Sequence, residues 1–144
     1  MGKCKTVPTP LVSLIGSNQY MDELETEIRD IAGAHDIRLT WTTSWKQAES
    51  FPRLRECLVP HVRTGGDYLV GLHELGHVLS PDAYGLTDRT DSYSLILCEG
   101  ASWAWAVSMI RPDLLPCLTP ADWDTAAHCF RSHLLPQDPL SSSV

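Results

Sequence analysis

The ten residues GLHELGHVLS, Gly71 to Ser80, set two histidines four apart, with a glutamate directly after the first, in a run that is otherwise apolar. On a helix this spacing puts both imidazoles on one face, one turn above the other. Leu69, Leu72, Gly76 and Leu79 mark the apolar stripe, and the histidine pair flanks it, where the helix would meet a cleft. Buried ionisable groups need partners, because an unpaired charge in an apolar setting is costly. Two imidazoles so placed can bind one metal ion, and nitrogen ligands with no thiolate beside them suit zinc best. Glu74, next around the helix from His77, would stand beside that ion without binding it. A carboxylate there can accept a proton from water, as HExxH hydrolases require.

Catalytic zinc usually takes three protein ligands, so a third must come from elsewhere. The extended spacing HExxHxxGxxH is absent, since Ser80 and Ala83 occupy its last two positions. In LILCEGASWAWAVSMI, Glu99 falls on one helical face with Leu95, Ser102, Ala106 and Met109. A carboxylate in that stripe demands a charged partner or a metal, and the small Ser102 and Ala106 let another helix come close. Glu99 is therefore the leading third ligand. Asp82, Asp88 and Asp91 are competing oxygen ligands whose ordinary roles are capping helices or facing water, and His128 is a further alternative on the last helix. Candidates for a transition-state helper are Tyr84, Tyr93, His61 and His128, which sequence alone does not rank.

Around the motif the hydrophobic periods predict an α+β domain. A helix over residues 17–34 carries Met21, Leu24, Ile28 and Ile31. A strand over 37–44 alternates Ile37, Leu39 and Trp41. CLVPHV, residues 57–62, reads as a second strand, placed at a sheet edge because Pro60 has no amide to donate. Asp67 is the expected cap of the metal helix, which ends at Ser80-Pro81. Residues 82–91 read as a loop, residues 92–111 as a helix stopped by Pro112, and TPAD at 119–122 as the start of a last helix that ends near 135. The expected architecture is thus a small twisted sheet, a metal helix, a glutamate helix, and flanking N- and C-terminal helices. Residues 1–135 form one expected domain, and 136–144 an expected mobile tail.

Composition narrows the partners. A net charge of -7 with no Lys/Arg cluster argues against direct nucleic-acid binding, which needs concentrated positive charge. No segment approaches the twenty apolar residues of a membrane span. Five cysteines, an odd number without a CxxC pair, make a disulfide framework or a four-cysteine zinc knuckle improbable and favour a reducing, cytoplasmic setting.

LHELGHVLS followed by EGASWAWA resembles the small gluzincin-type HExxH zinc metallopeptidases, and more narrowly the ImmA/IrrE-like peptidases of bacteria, phages and mobile elements. The resemblance covers residues 57–110. It implies one zinc per chain on His73, His77 and Glu99, with Glu74 as catalytic base. It further implies a protein substrate, often a transcriptional repressor or another regulator. In zincins generally an edge strand ahead of the metal helix binds extended substrate by strand addition, a role that falls here to CLVPHV. The expected function is therefore zinc-dependent peptide-bond hydrolysis. The alternative is a zincin-like module that holds zinc without turnover and acts by protein–protein contact.

Overall fold

The computed structural model describes residues 17–86 and 91–134. Its elements are α1 (Ser17–Ala34), β1 (Arg38–Thr42), β2 (Glu49–Phe51), β3 (Glu56–Pro60), α2 (Gly65–Leu79), α3 (Pro81–Tyr84), α4 (Ser92–Ser108) and α5 (Pro120–Leu134). Single 3-10 turns lie at Trp45–Gln47, Pro52–Leu54 and Leu115–Cys117. The fold is mixed α+β, mainly helical, with one small sheet among the described residues. The 136–144 tail, Asp88 and Cys4 lie outside the described residues.

The sheet corrects one expectation. Strand order is β1-β3-β2, so β3 is the central strand and not an edge. It runs parallel to β1, with Leu39 opposite Cys57 and Trp41 opposite Val59, and antiparallel to β2. Pro60 is tolerated because it is the last residue of β3, opposite Thr42. The next amide, His61 N–H, donates to the Thr42 carbonyl at 3.0 Å, so the ladder closes one residue later. β2 and two of the 3-10 turns fall in the stretch that reads as polar connection; three residues are too few to show a strand period.

α2 is the hub. Every residue from Gly65 to Val78 except Asp67 is buried, so the apolar stripe seen in sequence widens to nearly the whole circumference. Its neighbours approach at glycines. A Cβ on Gly71 would lie 2.6 Å from Ile28 Cδ1 of α1, one on Gly76 2.7 Å from the Ser102 carbonyl of α4, and one on Gly66 2.8 Å from Thr125 Cβ of α5. The α1 face that packs inward is Tyr20, Leu24, Ile28 and Ala32, with Met21 and Ile31 at its margins. Each fully buried Leu or Ile contributes roughly 2 kcal/mol, and that burial offsets the desolvation of the polar groups α2 carries.

The helix ends explain themselves chemically. Thr64, not Asp67, is the N-cap of α2: its Oγ1 accepts from Asp67 N–H at 3.1 Å, while Asp67 Oδ2 accepts from Arg63 N–H at 3.1 Å. Thr119 caps α5 as expected, accepting from Asp122 N–H at 3.2 Å. Asp122 also accepts from Gly66 N–H at 3.0 Å, tying the start of α5 to the start of α2. α4 stops at Ser108, before Pro112, because Ser108 Oγ donates to the Trp105 carbonyl and the Arg111 amide turns away to the Tyr68 hydroxyl at 3.3 Å. The segment from 82 begins with the short helix α3, capped by Ser80 Oγ on Ala83 N–H, and is not wholly loop.

Cys57, Cys98 and Cys129 are free and buried, while Cys117 is disulfide-bonded. The cysteine argument for a reducing compartment therefore loses its force. No helix among the described residues is long and apolar enough to cross a membrane.

Candidate metal centre

The i,i+4 spacing on α2 sets His73 one turn before His77, the rings meeting edge to face with their planes 72° apart and centroids 4.6 Å apart. That tilt brings the two Nε2 atoms to 3.0 Å. Glu99 reaches them from α4, with Oε1 2.9 Å from His73 Nε2 and Oε2 2.9 Å from His77 Nε2. α4 can come this close because Gly76 has no side chain and Ser102 is small. Ser102 Oγ donates to the His73 carbonyl at 2.5 Å, pinning the two helices at the level of the motif.

The His73, His77 and Glu99 side chains are 0%, 10% and 5% exposed, so water does not share the cluster's charge. Burial pulls the His73 imidazole down, but its contacts with Cys129 and Glu99 and the negative charge of Glu74 beside it carry it well above its usual value. Burial pushes the Glu99 carboxyl up, and hydrogen bonds from His73 and His77 hold it well below the usual carboxylate range. Without a cation, protons on the two Nε2 atoms are shared among the rings and the Glu99 carboxylate. A cation between the three donors would take the place of those protons.

The donor set fits a metal. A tetrahedral zinc with bonds of about 2.0–2.1 Å separates its donors by roughly 3.3 Å, and the separations here lie within a few tenths of an ångström of that. These three residues form a buried group whose ligand atoms all lie within 4.8 Å of one another and could hold a metal ion.

Glu74 is also buried, at 2% exposure. Its Oε2 lies 3.3 Å from His73 Nδ1, in ion-pair range but without the alignment of a hydrogen bond, and it has no hydrogen-bond partner among the described residues. A buried carboxylate oxygen left this way costs stability unless a function uses it.

The other sequence candidates take different places. Tyr93, on the outer face of α4, is 72% exposed, and Tyr84, closing α3, is 45% exposed. His128 meets Trp45 edge-on at 5.4 Å, and His61 stacks on Trp41 while pairing with Glu25. Asp91 caps α4 through Ser94, and Asp82 is exposed in the first turn of α3. None of these belongs to the buried ligand group.

Three neighbours of the site went unread in sequence. Trp103 stacks on His73 at 4.4 Å and 12°, with its indole N–H buried and without a hydrogen-bond partner among the described residues. It lies four residues after Glu99, so helical period alone could have placed it beside the site. Cys98 Sγ lies 3.5 Å from His77 Nδ1, and its neighbour in sequence, Glu99, is the signal that could have found it. Cys129 of α5 bonds His73 across a separation no local pattern encodes.

No protein-family model matches the chain, and no curated protein or solved structure matches it significantly.

Proposed function

We propose that the chain is a zinc-dependent metallopeptidase of the gluzincin type, similar to the ImmA/IrrE-like peptidases, which hydrolyses a peptide bond in a protein substrate such as a transcriptional regulator. The observation that carries this beyond metal binding is Glu74, a buried carboxylate beside the HExxH histidines with an oxygen that has no hydrogen-bond partner among the described residues. His73, His77 and Glu99 would hold the zinc. When bound, zinc supplies Lewis acidity, bringing the pKa of a water toward ~7 and polarising the scissile carbonyl. Glu74 takes the proton from the attacking water and passes it to the leaving amine, a transfer worth roughly 10²–10⁴-fold in rate. Trp103 covers one face of the His73 ring and keeps water from it.

The test is to express the parent and Glu74→Gln side by side, assay zinc in each, and map new protein N-termini in the host. Cleavage products confined to the parent, with equal zinc in both chains, are the expected result; identical product sets in the two chains would refute Glu74 as base.

A second reading is favoured by one observation, the near-complete burial of the cluster. It is a zincin-like module that holds zinc and binds a protein partner without turnover. Stoichiometric zinc with no new N-termini in the parent decides for it.

A further inference from the structure

Three thiols lie against the HExxH motif, two of them on its histidines. Cys57 of β3 donates to the Glu74 backbone carbonyl at 3.5 Å, Cys129 of α5 bonds His73, and Cys98 of α4 approaches His77 Nδ1 at 3.5 Å. Cys98 makes a second contact, from Sγ to the Ala83 carbonyl of α3 at 3.6 Å. Both distances suit sulfur, whose hydrogen bonds are longer than those of oxygen.

A metal-ligating imidazole carries its one proton on the nitrogen away from the metal, and a bond to that proton fixes the tautomer and the ring's aim. His77 Nε2 points at Glu99 and His73, so in the loaded protein its proton sits on Nδ1. The group facing that proton is the Cys98 sulfur. The thiol's own hydrogen is directed to the Ala83 carbonyl, which leaves the sulfur lone pairs free to accept. The chain of bonds then runs His77 Nδ1–H to Cys98 Sγ, and Cys98 S–H to the Ala83 carbonyl.

We propose that Cys98 is a positioning residue for the metal centre, which holds His77 in the Nδ1–H tautomer and so aims its Nε2 into the ligand cluster. The inference rests on the metal reading of His73, His77 and Glu99, and is independent of whether the protein turns over substrate. A sulfur placed only for packing would affect stability when replaced and leave metal affinity untouched. A sulfur that orients a ligand affects affinity, by roughly 10–100-fold in sites where such second contacts have been removed.

The experiment compares the parent, Cys98→Val and Cys98→Ser for zinc affinity by competition with a chromogenic chelator, alongside the exchange rate of the His77 Nδ1–H imidazole proton by NMR in the zinc-loaded chains. Cys98→Val fills the space without offering an acceptor. It is expected to keep the parent's circular dichroism, bind zinc 10–100-fold more weakly, and lose the protected Nδ1–H resonance. Cys98→Ser restores an acceptor and is expected to recover part of both. If Cys98→Val does not fold, Cys98→Ala replaces it, with the same outcomes expected. Affinity within twofold of the parent, with the Nδ1–H equally protected, overturns the proposal. A parent chain that binds no stoichiometric zinc is a different result, which overturns the metal reading itself.

Discussion

Glu99 is held ionised by two imidazoles in a buried site, and removing its charge should weaken one contact and turn the other carboxylate oxygen into a donor that faces an imidazole nitrogen. In Glu99→Gln the zinc affinity is expected to fall by more than the ~100-fold typical of losing a supporting contact, read by the same chelator competition. The pH behaviour has two parts. In zinc-free protein the raised His73 lends stability that is fully present below its ordinary value of 6.5 and lost as pH rises through the folded value. The lowered Glu99 lends stability that is present above its ordinary value of 4.5 and lost as pH falls through the folded value. The pair therefore favours the zinc-free fold most between 4.5 and 6.5. Zinc must displace the His73 proton, so its stabilising effect grows as pH rises above that window. Melting curves with and without zinc across pH 4.5 to 8 check this, and a zinc increment that does not vary with pH contradicts it.

Among the elements, α2 concentrates the consequences of single substitutions. Gly76→Ala drives a Cβ to 2.7 Å from the backbone oxygen of Ser102, which cannot swing aside, and should cost about 1–3 kcal/mol while prying α4 from the motif. Gly71→Ala meets only the flexible Cδ1 end of Ile28, at 2.6 Å, and should cost less. Urea titration of both variants, with zinc content measured in parallel, is expected to show zinc loss in Gly76→Ala alone. Thr64→Ala removes the cap and should cost about 1 kcal/mol, lowering the melting temperature by about 3 °C. These features differ in how far sequence exposes them. The helical periods, the strand from Arg38 to Thr42 and the convergence of Glu99 on the histidines are visible because each follows from local spacing and from the cost of isolated charge. The central position of β3 is not, because a proline at a strand end looks in sequence like a proline in its middle. Nor is Thr64 as cap: Thr64 and Asp67 are both good capping residues, and only the reciprocal bonds to Asp67 and Arg63 decide between them.

For the molecule as a whole, the proposed zinc would sit between α2 and α4, with α3 and α5 packed against the cluster through Cys98 and Cys129, so its removal should loosen the packing between helices more than within them. A chelator is expected to lower the melting temperature, and excess zinc to raise it in proportion to the logarithm of its concentration. Near-ultraviolet circular dichroism, sensitive to Trp103 against His73, is expected to change before the far-ultraviolet helical signal does. The shielding of the three ligands carries one more consequence, for kinetics. An ion enclosed by side chains that show solvent at most 10% of their surface can depart only when the surrounding helices part. Stripping by a chelator should then proceed at a ceiling rate that further chelator does not raise, and that ceiling is the breathing frequency of the protein itself.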